Sequence, residues 1–148
     1  MERTPSTWSS RAGGLAALGG SILVVASMFL PWVYRGGAGV DYLHLTAVEA
    51  VRADRAYGVS VALVPLLAVW CALFFVWRRH ETRMVWAFGG LAGAMLLYGG
   101  DLRLSADLPV NAAGIGEPVA VAGLLVLAAG CVLALAANIA EPRALSAA

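Results

Sequence analysis

Four long apolar stretches organise this chain, at roughly 12–33, 58–77, 84–100 and 118–139, and none carries a charged residue in its interior. A helix needs about 20 apolar residues to cross the ~30 Å hydrocarbon core of a bilayer. The pattern therefore predicts an all-α chain: an integral membrane four-helix bundle built from antiparallel hairpins, with residues 1–148 forming a single four-span membrane domain. Composition points the same way. The chain is 61% hydrophobic, whereas a soluble domain averages about 45–50% apolar residues. The first stretch is too long for the h-region of a cleaved signal peptide, so it is read as a retained span.

Charge orients the bundle. The N-terminal tail, the turn at 78–83 and the C-terminal tail carry Arg3, Arg11, Arg78, Arg79, Arg83 and Arg143. The loops after the first and third spans carry Arg35, Arg52, Arg55 and Arg103 among a larger number of acids. The positive-inside rule puts the first set, and both termini, in the cytoplasm. Every basic residue is Arg and Lys is absent. With the abundance of Ala, Gly and Val, this indicates a GC-rich bacterial genome and hence a bacterial plasma (inner) membrane. Aromatic residues prefer the membrane–water boundary. Trp32, Tyr34, Tyr42, Tyr57 and Tyr98 would lie near the outer face, with Trp77 and Trp86 at the inner one. Trp70, deeper in its span, is read as packing between helices or facing lipid.

Small residues supply the packing signals. Helices in lipid gain association energy from close backbone approach, which Gly, Ala and Ser permit. The first span contains Gly19 and Gly20 in a small-residue run, the third has the Gly89-x-x-x-Gly93 pair, and the fourth has Gly123 and Gly130. These six glycines are the expected helix-packing or partner interface. Pro65 lies well inside the second span, where it removes one backbone hydrogen bond, and is the expected kink.

The first outer loop is the longest. Gly36, Gly37 and Gly39 are expected to leave its beginning flexible. Thr46 and Glu49 match a capping box, which predicts a short amphipathic helix from about Ala47 to Ala53. Glu117 followed by Pro118 is a good start for the fourth helix. Asn138, near the inner end of that helix, is expected to reach polar headgroups.

Chemistry-bearing residues are sparse. His44 and His80 are expected on opposite faces and cannot share a metal or haem within one chain. Cys71 and Cys131 both fall inside spans, are read as small buried hydrophobes, and could sit at similar depth. Asp41, His44, Glu49, Asp101, Arg103 and Asp107 form the candidate outer-face polar cluster, read as ordinary solvated or paired charge. No catalytic residue, metal ligand or cofactor is expected, and the net charge of +1 gives no reason for a nucleic-acid partner.

The favoured functional expectation is a non-catalytic small membrane protein, an accessory or scaffold subunit of a larger complex, with the lipid bilayer and other membrane subunits or further copies of itself as partners. One alternative is an oligomeric transporter or channel for a small or lipid-like substrate. A third is an integral-membrane enzyme acting through outer-loop residues. Four spans, inner termini and a long first outer loop resemble the layout of claudin-like and tetraspanin-like proteins. Claudins carry a Trp-Gly-Leu-Trp stretch and a cysteine pair in the first outer loop, and tetraspanins a large cysteine-bearing second one. Neither is present here, so the resemblance implies layout alone.

Overall fold

A computed structural model describes residues 5–47, 55–77, 79–107 and 113–146. The chain is mostly helical, with α1 at Pro5–Ser27, α2 at Arg55–Leu73, α3 at His80–Asp107 and α4 at Gly116–Ser146. The helices pack as a bundle: α1 lies on α4 most extensively, and the contacts α1–α2, α2–α3 and α3–α4 complete the ring. Three helices are long and apolar enough to cross a membrane, through Ser9–Ser27, Glu81–Leu104 and Gly116–Ala140. The apolar part of α2, Tyr57–Leu73, is shorter.

The α1–α4 seam follows from four glycines. Gly13, Ala17, Gly20 and Val24 lie three or four residues apart, on one helical face. They meet Ala134, Gly130, Leu127 and Gly123 of α4. A methyl group built on Gly13 would lie 2.7 Å from the carbonyl oxygen of Gly130, and one on Gly123 would lie 2.9 Å from that of Gly20. The two backbones are thus in direct contact, and only hydrogen side chains fit between them. Gly19 sits beside this seam, exposed and with open space where a side chain would project.

The α2–α3 seam has the opposite construction. Here the glycines of α3 accept bulky side chains: Gly89 lies against the Trp70 ring and Gly93 against Leu67. The indole of Trp70 donates to the Trp86 carbonyl at 2.9 Å, and the indole of Trp86 donates to the Trp70 carbonyl at 2.8 Å. Each buried N–H thereby finds an acceptor. Phe74 packs on Trp86 with ring centroids 4.6 Å apart, and Arg83 lies 5.4 Å from the centre of the Phe74 ring. Arg83 also donates to the Trp77 carbonyl at 3.2 Å, tying the turn between the two helices.

Three buried polar side chains are satisfied within their own helices. Ser21 and Ser27 donate to the carbonyls of Leu18 and Val24, which satisfies each hydroxyl inside its own helix. Asn138 does not reach outward as the sequence predicts. It is buried at 1% exposure and donates to the Ala134 carbonyl at 2.7 Å. Facing α1 leaves it no route to headgroups. Cys71 and Cys131 are buried and unbridged, within electrostatic reach of each other. Pro65 lies inside α2 on an exposed face, and the helix continues to Leu73.

The largest departure from the sequence expectation is that the chain is not purely helical. The first span ends early: α1 stops at Ser27 and tightens into three i→i+3 bonds, ending with the Leu30 amide on the Ser27 carbonyl. Pro31 lacks an amide hydrogen and disfavours helix at Leu30, which explains the stop. The chain then forms an antiparallel hairpin of β1, Pro31–Arg35, and β2, Ala38–Asp41. Gly36 and Gly37 are its turn, with φ of 58° and 86°. Two positive φ values in a two-residue loop match the right-handed twist of the flanking strands. These glycines therefore specify a turn rather than a flexible loop start. After β2 a 3-10 helix runs over Tyr42–Ala47. The amphipathic helix expected at 47–53 lies outside the described residues beyond Ala47.

The contrast between neighbouring glycines is directly testable. Gly20→Leu should lower the unfolding free energy in detergent by about 1–3 kcal/mol or more, because the added side chain meets backbone. Gly19→Leu should change it by no more than about 0.5 kcal/mol. Equal effects of the two substitutions would refute the seam.

Candidate functional site at the hairpin end

The hairpin is fastened to the bundle through Trp32. A bulge lies between the pairs Pro31–Asp41 and Val33–Val40. Strand side chains normally alternate between faces, but a bulge re-aims one of them. Trp32 and Val33 are accordingly both buried. The Trp32 indole donates to the Ser27 carbonyl at 2.8 Å, and its own carbonyl accepts the Gly114 amide at 2.8 Å. One residue thus ties the end of α1 to the segment entering α4. Val33 adds a bridge to Ala113. Gly116, the first residue of α4, lies flat against the Trp32 ring.

Aromatic packing continues the tie to α2. Trp32 and Tyr42 have ring centroids 4.6 Å apart, and Tyr42 and Tyr57 are 5.3 Å apart. The Tyr57 hydroxyl donates to the Tyr42 carbonyl. The Tyr42 amide in turn donates to the Met28 carbonyl at 3.1 Å. The hairpin end is therefore a closed knot involving α1, α2 and α4, with the turn exposed above it.

The expected polar cluster divides into separate places. Asp41 and His44 come together: one Asp41 oxygen accepts the His44 amide at 3.0 Å and lies 2.6 Å from its Nδ1. This arrangement caps the start of the 3-10 helix, and the His44 side chain is 76% exposed. Asp101 is half-buried and lines a cavity of about 30 Å³ beside Ser27, Trp32, Tyr42 and Ser60. Such a space admits about one or two waters. Glu117 of α4 is close enough to act on Asp101 electrostatically. Arg103 is exposed and lines a separate groove between α2 and α3. Glu49 and the Asp107 side chain lie outside the described residues. Among the described residues, no three His, Cys, Asp or Glu side chains gather in a metal-holding group.

Of the six glycines singled out in the sequence, Gly20, Gly123 and Gly130 lie in the α1–α4 seam, Gly89 and Gly93 receive α2 side chains, and Gly19 faces outward. Gly114 and Gly116 are the functional positions that sequence reasoning passed over. Their composition signalled a break in regular structure. Their role depends on Trp32, more than 80 residues earlier in the chain. Comparison with protein-family models, with curated proteins and with solved structures gives no match to this chain.

Trp32→Phe keeps most of the ring but removes the donor to Ser27. It should cost about 1–3 kcal/mol and speed hydrogen exchange at the Gly114 amide. Tyr34→Phe, on the exposed strand end, should do neither. Unchanged Gly114 exchange in Trp32→Phe would contradict the fastening role.

Proposed function

We propose that this chain is a non-catalytic scaffold or accessory subunit of a bacterial inner-membrane assembly. It inserts as four spans in antiparallel hairpins, with both termini cytoplasmic and the β-hairpin outside. The reversed order of the helix contacts supports this arrangement: Gly13 meets Ala134 while Gly20 meets Leu127, and Gly89 meets Trp70 while Gly100 meets Ser60. Large apolar side chains are exposed around the bundle, among them Leu15, Leu66, Phe88, Met95, Leu125 and Leu133. A water-facing monomer seldom carries so much contiguous apolar surface. Arg79 and Arg83 belong to the end opposite the hairpin, in accord with the positive-inside rule.

The observation that carries the scaffold reading is the hairpin itself. Its base is locked by Trp32, and its turn, from Tyr34 to Gly39, is exposed. A pre-organised surface of this kind binds a partner without the entropic cost of ordering a loop. A photo-crosslinking amino acid at Tyr34 should give one or a few defined heavier adducts in intact cells, and their absence in cells that express the chain would count against the reading. Topology has its own test. Ala38→Cys should react with a membrane-impermeant maleimide from outside the cytoplasmic membrane. Labelling that requires permeabilisation of that membrane would reverse the orientation.

A further inference from the structure

At the hairpin end, α2 and α3 part to leave a groove of about 470 Å³ lined by Val59, Ser60, Leu63, Met95, Gly99 and Arg103, among others. This is within the roughly 300–1,000 Å³ of ligand-binding clefts. The groove follows from sequence spacing. Met95, Gly99 and Arg103 lie four residues apart and share one face of α3. Gly99 has open space where a side chain would stand, and a methyl group on Gly100 would meet only the Ser60 hydroxyl. Two adjacent glycines thus hollow the helix surface one turn below an arginine.

The chemistry along the groove is graded. Its deeper wall is apolar, from Leu63, Met95 and Leu96. Its mouth has a guanidinium, near the end of the apolar stretch Glu81–Leu104. Among the described side chains, which do not include that of Asp107, Arg103 has no carboxylate within ion-pair distance. Asp101 is two residues away but about 200° around the helix, and it lines the small cavity beside Trp32. The Asp101 carboxylate is therefore turned away from the groove. A cation above an apolar slot at the bilayer boundary is complementary to an anionic amphiphile.

The geometry points to a binding site for one anionic phospholipid of the outer leaflet, with its phosphate on Arg103 and one acyl chain along Leu63 and Met95. Ser60 supplies a hydroxyl near the mouth. This assignment rests on the membrane orientation proposed above. It does not depend on the scaffold role.

The test is native mass spectrometry of the full chain released from nanodiscs containing equimolar phosphatidylglycerol and phosphatidylcholine. The wild-type chain should retain a single phosphatidylglycerol with about five-fold preference, the order expected for one basic residue facing an anionic headgroup. Arg103→Gln should bring that ratio to about one with helical content unchanged. Gly99→Leu, which fills the groove and keeps the arginine's charge, should reduce retention of both lipids. Equal retention by the wild-type chain, or a preference that survives Arg103→Gln, would overturn the site. So would a bound second copy of the chain that Arg103→Gln releases, since the groove would then hold protein. Failure to incorporate into nanodiscs at all would instead defeat the membrane reading on which the site rests.

Discussion

Backbone-to-backbone contact between α1 and α4 is the constraint on which the bundle depends. These helices are the first and last of the described helices, so their union closes the ring that the shorter connections leave open. In lipid there is little hydrophobic gain in bringing apolar helices together, and association relies on packing and hydrogen bonds. Gly13, Gly20, Gly123 and Gly130 make that packing possible by removing side chains from both surfaces. The larger residues of the seam, Val24 and Leu127, then fill the space beside them and are buried at 4% and 0% exposure.

The two halves of the bundle solve the same packing problem differently. Between α1 and α4, glycine faces glycine. Between α2 and α3, glycine faces tryptophan and leucine, and the reciprocal Trp70–Trp86 hydrogen bonds fix the register. The first solution brings helices close. The second holds them further apart through large side chains, and the groove at the hairpin end lies along this pair. The Trp32 knot then determines how the hairpin sits over the bundle, linking it to α1, to the entry of α4 and, through Tyr42, to α2.

The helices were legible because apolar length is a local property. So was the start of α4, where Glu117 and Pro118 occupy its first turn. The hairpin was less visible, although Gly36-Gly37 between β-forming residues is a recognised turn signal. A continuous apolar run through Trp32 and Val33 masked the change from helix to strand. The polar cluster could not have been resolved from sequence. Asp101 and Arg103 are two residues apart, yet one lines the small cavity beside Trp32 and the other the groove between α2 and α3. That division depends on helix rotation, which the neighbouring helices set. Likewise, Gly19 and Gly20 are equivalent in composition, and only the position of α4 separates them.

The most direct measurement of this architecture is oxidative crosslinking in native membranes. Ser27→Cys and Ala120→Cys would be combined in a chain whose Cys71 and Cys131 are replaced by Ala. Ser27 and Ala120 are the next facing pair after Gly20–Leu127 and Val24–Gly123, they line one small cavity, and such a pair can bring Cβ atoms to the roughly 3.5–4.5 Å a disulfide needs. Mild oxidation should therefore form an intrachain disulfide that leaves the chain monomeric on a denaturing gel and protects both thiols from alkylation. Free thiols after oxidation, or crosslinks only between separate chains, would contradict a bundle closed by α1 on α4.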